Sequence, residues 1–389
     1  MTRSIFGESI IPTYASNTEA TKAIQNHEKC ANMDSISPKA VNSMKKTLLF
    51  CLASLAFVAQ LAVADSAAIV LYHHVAKDTP ASTSLTPDQF RSHLEFIRDT
   101  GIEVLALDEL LSTIESKQPL PDKAIAITFD DGYLSIFTEA FPMLTEFGFP
   151  FTVFISTGPI DRAQKNYMNW DQIRILSEAG VIIANHMVEH PYMLDRAPTQ
   201  DSASWLSSQR EELLLAQDRI STETGQDHKL FAYPYGEYNQ EIKEMLKSLG
   251  FAGFAQNSGA INDHSDMTAL PRFPLASIYA NIDTARTKFL SKAFNASLLA
   301  PLSPVTDSAR PSTTVQFFPG DYSLSQIGCF YNGEAMELNW IDRENGVLQL
   351  RSKTDAQGRR WRYICTAPDP NSNRFYWYSI QFINPQKPG

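Results

Sequence analysis

Hydrophobic and polar positions follow two rhythms along this chain. From residue 68 to about residue 290, short apolar runs recur at Ala68–Tyr72, Glu103–Leu105, Ala124–Thr128, Phe151–Ile155, Val181–Ala184, Leu230–Tyr233 and Ala252–Ala255, with a weaker one near Leu270. Their lengths and their branched and aromatic residues predict strands. The segments between them have helical spacing and readable ends. In the first, Thr86, Pro87 and Gln89 supply an N-cap, an N1 proline and a capping-box partner, Phe90, Leu94 and Ile97 form an apolar stripe, and Gly101 closes the helix. His93 falls beside that stripe and is read as structural. Gly148, Gly180 and Gly250 stand where C′ glycines belong. Seven or eight strand–helix alternations predict parallel strands, in either a doubly wound open sheet or a (β/α) barrel. Tyr72-His73-His74-Val75 follows the first strand in place of a glycine-rich phosphate loop, which argues against a dinucleotide fold.

The second rhythm is that of a β module. Residues 300–311 turn to Pro, Ser, Thr and Ala, as a linker does. Beyond them Thr314–Phe318, Cys329–Tyr331, Glu337–Ile341, Val347–Leu350, Trp361–Thr366 and Tyr376–Ile383 stand between Asn-Gly and Pro-Asp-Pro-Asn turns, predicting a small all-β domain over residues 312–389. Its aromatics, Trp340, Trp361, Tyr363, Tyr376, Trp377 and Tyr378, are read mainly as core, with stacking on sugar rings as the competing role.

The beginning of the chain has neither rhythm. Met44-Lys45-Lys46, an apolar stretch over Thr47–Val63 and Ala62-Val63-Ala64 before Asp65 predict an export signal over residues 44–64, so that the mature protein begins near Asp65 in the periplasm or outside the cell. Residues 1–43 are polar, lack a period and are expected to be a non-native or disordered leader. The competing reading is a cytoplasmic tail on a membrane anchor, for which the apolar stretch is short; the mature chain is expected to hold no transmembrane segment. The barrel then covers residues 65–299, ahead of the 300–311 linker. Export changes the reading of the cysteines. Cys30 and Cys51 lie in the parts expected to be lost, and the remaining even pair, Cys329 and Cys365, predicts one disulfide in the β domain rather than a metal site or a catalytic thiol. The formal charge of −10 over 389 residues, with no long Lys/Arg run, argues against nucleic acid or an anionic membrane surface as partner.

The polar residues gather at one end of the predicted strands. His73 and His74 follow the first, Asp130 and Asp131 the third, His186 and His190 the fifth, and Tyr235 and Gly236 the sixth, while Arg272 accompanies the last. In a barrel these ends share one rim. His186-Met187-Val188-Glu189-His190 matches the H-x-x-E-H string of inverted zinc proteases, which requires a helix. The strand-like Val181-Ile182-Ile183 before it and Pro191 after it favour a loop instead. Two imidazoles with one carboxylate suit Zn²⁺ or a similar divalent ion with positions left open, and a second carboxylate outside the ligand set can take a proton.

Thr128-Phe129-Asp130-Asp131-Gly132, the His186/His190 pair and Tyr233-Pro234-Tyr235-Gly236 together resemble the polysaccharide deacetylase family, carbohydrate esterase family 4, over most of residues 68–290. The resemblance implies a distorted (β/α) barrel of seven or eight strands. It implies removal of N-acetyl groups from an N-acetylglucosamine-type polysaccharide or oligosaccharide, with Asp130 as general base, Asp131, His186 and His190 as metal ligands, and the backbone N–H of Tyr235 facing the oxyanion. Met187 stands where the family usually has Ser or Thr, and no arginine precedes the Pro-Tyr-Gly motif, so Arg272 is assigned to orient Asp130. Leu71-Tyr72-His73 resembles the rearranged motif order of poly-N-acetylglucosamine deacetylases and makes His73 the expected acid, with His74 as alternative. A reading from another class, a non-catalytic carbohydrate-binding protein on a deacetylase-like barrel, draws on the Met187 and arginine departures.

Overall fold

The computed structural model describes residues 63, 64 and 66–389. The leader over residues 1–43, nearly all of the predicted export signal, and Cys30 and Cys51 lie outside the described residues. Among the described residues no helix is long and apolar enough to cross a membrane.

The barrel sheet has nine strands: β1 (Ala67–Tyr72), β2 (Glu103–Val104), β3 (Ala124–Phe129), β4 (Phe151–Ile155), β5 (Ile182–Asn185), β6 (Leu230–Ala232), β7 (Ala252–Phe254), β8 (Ala260–Ile261) and β9 (Phe273–Pro274). Their order is β7-β6-β5-β4-β3-β1-β8, with β2 beside β3 and β9 beside β1. All pairings are parallel except β8 with β1. The gap between β7 and β1 is spanned by one short segment. Leu270 exchanges backbone hydrogen bonds with Gly253 and Ala255, and Phe273 pairs with Val70 three residues on. The weak apolar run near Leu270 is thus the piece that brings the two edges together.

Period-two alternation sends the side chains of each strand into two separate cores. Val70, Tyr72, Ile125, Ile127, Phe129, Val153 and Ile183 pack outward against Phe90, Leu94 and Ile97 of the first helix and its neighbours. Ile69, Ala126, Phe154, Ala184, Ala232 and Phe254 face the other way, into the barrel. The repeated alanines on this inner face leave room for a long side chain to run up the interior. The helix Pro87–Asp99 has the Thr86–Gln89 capping box, and His93 is fully buried on it between the Tyr72 hydroxyl and the Ala280 carbonyl.

The C-terminal region is a sandwich of two sheets. One joins Lys292–Ala293, Phe375–Ile383, Arg360–Pro368, Gly328–Tyr331 and Glu334–Ala335; the other joins Ala296–Ala300, Thr313–Phe317, Val347–Arg351 and Glu337–Asp342. Cys329 and Cys365, directly opposite in register, are disulfide-bonded. The Pro- and Ser-rich stretch over 300–311 therefore lies inside this module, not ahead of it. Ala296–Ala300 already pairs with Thr313–Phe317, and the stretch between is a long connection held by backbone bonds from Thr306 N–H to Ile383 O and from Ile383 N–H to Pro304 O. Trp361, Tyr363 and Tyr376 are buried in the module, Trp340 and Tyr378 pack on its core, and Trp377 packs on the barrel core, so the six rings noted in the sequence are chiefly packing groups.

Candidate active site

The site is built where β3, β5 and β6 end, and its backbone is unusual there. Asp131, Met187, His190 and Tyr235 all have positive φ, at 73°, 68°, 53° and 57°. Left-handed backbone at non-glycine residues costs of order 1 kcal/mol each, and it concentrates where side chains must leave a strand in directions that regular geometry forbids. Asp130 continues β3, its N–H donating to Tyr72 O, and Asp131 turns away from that direction. Gly132 follows at φ 83°; a Cβ there would lie 3.0 Å from Ile155 Cγ2.

Asp130 and Arg272 form a fully buried bidentate pair. Nη1 and Nη2 of Arg272 each donate at 2.7 Å to Oδ1 and Oδ2. Arg272 enters from just before β9 and crosses the barrel interior, where its Nε donates to Ala255 O, its Nη1 reaches Thr128 Oγ1 at 3.3 Å and its guanidinium lies over the Phe154 ring. Burial works against ionisation of Asp130, but the charge and hydrogen bonds of Arg272 outweigh it and hold the carboxyl below its ordinary value.

Beside this pair, Asp131, His186 and His190 converge. Asp131 Oδ1 lies 3.4 Å from His186 Nε2 and 3.3 Å from His190 Nε2. Two atoms that each sit about 2.0–2.1 Å from one tetrahedral centre are about 3.3 Å apart, so these spacings suit a shared Zn²⁺-sized ion. His186 Nδ1 donates to Ala232 O at 2.7 Å, which leaves the lone pair on Nε2; that atom is buried and has no hydrogen-bond partner among the described residues. A backbone carbonyl on the far nitrogen is the usual way a protein orients a ligating imidazole. The charges agree, because two buried carboxylates face one arginine. Burial disfavours the Asp131 charge, yet the neighbouring imidazoles of His186, His73 and His190 hold its carboxyl well below the usual range. Burial and the proximity of His186 push His190 down to about 4, in its neutral, ligating form. Burial opposes protonation of His186, and Asp130 and Asp131 overcome it and raise its pKa. The residues present thus fit a divalent cation.

Around this centre the other sequence candidates divide. His73 lies close enough to both carboxylates to stabilise their charge. His74 turns aside to stack on Tyr133 with ring centres 3.6 Å apart. The Tyr235 ring meets His190 edge-on at 4.4 Å and stacks on Tyr192 at 4.0 Å. His186 to His190 form a loop, and Glu189 points outward to pair with Arg162, its Oε2 accepting from Nη2 at 2.8 Å, so the helix and inward glutamate of an inverted zinc protease are both missing.

Three polar residues at the site escaped the sequence reading. The loop that Met187 leaves without a side-chain hydroxyl is braced by Asn185, whose Oδ1 accepts from Met187 N–H at 2.9 Å while its amide donates to Leu213 O and Gln217 Oε1. Ser156 Oγ donates to His186 O at 2.9 Å. Glu237, directly after the Tyr-Pro-Tyr-Gly stretch, is fully buried and receives Arg359 and Arg360 from the β module. A polar residue closing an apolar run was the available signal for Asn185 and Ser156.

Comparison with known proteins gives one family. Residues 117–254 match the family model described as polysaccharide deacetylase. A poly-beta-1,6-N-acetyl-D-glucosamine N-deacetylase of Escherichia coli K12 is 24% identical over 227 residues, 50% of this chain and 34% of that one. The enzyme of the same name from Staphylococcus epidermidis is 24% identical over 227 residues, 54% of this chain and 78% of that one. The chain thus spans about one third of the E. coli relative's length. Among solved structures, IcaB from Ammonifex degensii superimposes with a TM-score of 0.52 at 21% identity, over 59% of this chain and 99% of its own, which extends the likeness of fold across the barrel.

Proposed function

The chain belongs to the polysaccharide deacetylase family, and we propose that it is an exported, metal-dependent hydrolase that removes N-acetyl groups from an N-acetylglucosamine-type polysaccharide or oligosaccharide. The observation that carries this reading is the pairing of two adjacent carboxylates with different partners on one rim: Asp130 with buried Arg272, and Asp131 with His186 and His190. Asp131, His186 and His190 would hold the ion, of which Zn²⁺ suits the donor set. When bound, such a cation supplies Lewis acidity toward a water molecule and the acetamide oxygen. Asp130, kept ionised and fixed in orientation by Arg272, takes the proton from the attacking water on its carboxylate. His73 gives a proton to the departing amine nitrogen. The backbone N–H of Tyr235 meets the oxygen on which negative charge develops. The N-acetyl carbonyl loses its bond to nitrogen and leaves as acetate, with a free amine on the sugar.

Acetate release from chitin oligosaccharides, poly-N-acetylglucosamine and peptidoglycan, with and without chelator, tests the proposal. Chelator-sensitive acetate from any of the three supports it. Sugar binding without acetate in the metal-loaded protein would instead establish a carbohydrate-binding protein.

A further inference from the structure

The β module reaches the rim of the site through Glu237 and Tyr235. Arg359 Nε and Nη2 donate to the two Glu237 oxygens at 2.7 and 2.8 Å, and Arg359 also pairs with Asp195. Arg360 Nη1 donates to Glu237 at 2.7 Å, and its guanidinium lies over the Tyr235 and Tyr192 rings. These two cations are balanced by two carboxylates. Next to them a cavity of about 110 Å³ opens between the rim and the module, lined by Tyr235, Asn257, Arg360, Trp361, Arg362 and Gln381. Tyr235, one of its walls, is also in ring contact with His190.

Arg362 differs from its two neighbours. It is half-buried in the wall, and its side chain has neither an ion pair nor a hydrogen bond among the described residues. Lys288 is close enough for the two charges to repel, and its buried Nζ lies over the Tyr279 ring at 4.4 Å with no hydrogen-bond partner among the described residues. A half-buried cation with no counter-ion attracts an anion, which joins it through charge-assisted hydrogen bonds. The remaining walls have a mixed character. Trp361 Nε1, Asn257 Oδ1 and Gln381 Oε1 have no hydrogen-bond partner among the described residues but are closed off from the cavity, and the Asn257 and Gln381 amides are committed, to Ser379 and to Gly236 O. The unpaired guanidinium of Arg362 suits an anionic group, as on an acidic sugar. The volume accommodates such a substituent but not a whole pyranose.

We propose that this cavity is a substrate subsite in which Arg362 binds the acidic substituent, carboxylate or phosphate, of a sugar adjacent to the N-acetylhexosamine in the catalytic site. The inference rests on the deacetylase reading for the identity of that neighbouring sugar. It makes the C-terminal module a wall of the substrate cleft and the chain a deacetylase of acidic glycans.

The test compares four probes on the full chain by calorimetric titration and by acetate release. These are N,N′-diacetylchitobiose, a neutral N-acetylglucosamine tetramer, a disaccharide of N-acetylglucosamine with its 3-O-lactyl ether, and an N-acetylglucosamine disaccharide bearing a phosphate monoester. The acidic disaccharides should bind about ten- to hundredfold more tightly than the chitobiose, the range expected for a charge-assisted hydrogen bond. Arg362→Gln should remove that preference while leaving the neutral tetramer's kcat/KM within about twofold, and Arg362→Lys should keep part of it. Which acidic probe shows the larger loss separates carboxylate from phosphate as the natural group. Equal binding of acidic and neutral probes by the wild type overturns the proposal whether or not the variants fold, as does a preference retained by folded Arg362→Gln. Acetate from neutral sugars with no acidic preference leaves the deacetylase reading standing alone. Arg362-dependent acidic binding without acetate removes that reading and keeps the subsite.

Discussion

Arg272 and Asp130 stand 142 residues apart in sequence and meet inside the barrel with the two terminal guanidinium nitrogens each on one carboxylate oxygen, neither residue touching solvent. The pair fixes the plane of the carboxylate and keeps it ionised. Arg272→Met leaves Asp130 buried and unpaired, which raises its pKa. A base must be ionised to act, so the acid limb of the kcat/KM profile should move to higher pH, with activity near neutrality lower by about 10²-fold. Arg272→Lys, which keeps charge but not the fork, should fall between. An acid limb that does not move in Arg272→Met would separate the pair from the base.

The two adjacent aspartates should fail in different ways. Asp130→Asn should reduce acetate release by about 10²–10⁴-fold, the usual worth of a positioned base, with metal content unchanged. Asp131→Asn removes the negative charge from the group whose Oδ1 lies within 3.4 Å of both imidazoles, so metal content should fall along with activity. Metal analysis on the two purified variants checks the division; equal metal loss in both would show that Asp130 is a ligand too.

Much of this was legible from sequence because two signals were strong. The barrel strands are buried on both faces, so they appear as unbroken apolar runs, and a parallel sheet allows few orders for them. Asp130, Asp131, His186, His190 and Tyr235 follow such runs directly, which places them on one rim. Arg272 was reachable because the Pro-Tyr-Gly stretch has no arginine before it and a basic residue accompanies the final strand. Residues that act sideways were harder. Asn185 and Ser156 brace the His186–His190 loop from strand ends, and one-dimensional spacing does not distinguish a brace from a cap. The 300–311 stretch has linker composition because it turns around the end of a sheet. Strand pairing between Ala296–Ala300 and Thr313–Phe317 is a long-range property that composition does not carry.

His93 gives the chain a pH response independent of the active site. Its Nε2 faces the Ala280 carbonyl, which can only accept, so Nε2 holds the proton and Nδ1 accepts from the Tyr72 hydroxyl. Burial therefore lowers its pKa to about 4. Between the ordinary histidine value near 6.5 and about 4, only the unfolded chain takes up this proton, so stability rises with pH across that window. His93 should contribute a loss of about 2–3 kcal/mol on going from pH 6.5 to pH 4.5. Melting temperatures of the chelated protein over this range, compared with His93→Gln, check it. The variant should be less stable at pH 7 and have a shallower slope.

Glu237 is the joint between barrel and module. It is fully buried, accepts three hydrogen bonds from Arg359 and Arg360, and follows the rim segment that presents Tyr235. Gln381 of the module donates to Gly236 O in the same turn, and Arg359 closes the group by pairing with Asp195. Glu237→Gln keeps the shape but leaves buried Arg359 short of its main counter-charge, an imbalance that typically costs about 3–5 kcal/mol. The Tyr235 turn should loosen with it, because its left-handed backbone is held by contacts from the module rather than by local preference. Scanning calorimetry of Glu237→Gln should therefore show a lower melting temperature. Activity at permissive temperature should fall through kcat, since Tyr235 would meet the developing oxyanion less well, with metal content preserved. A variant that melts earlier yet retains wild-type kcat would make Glu237 a structural joint only.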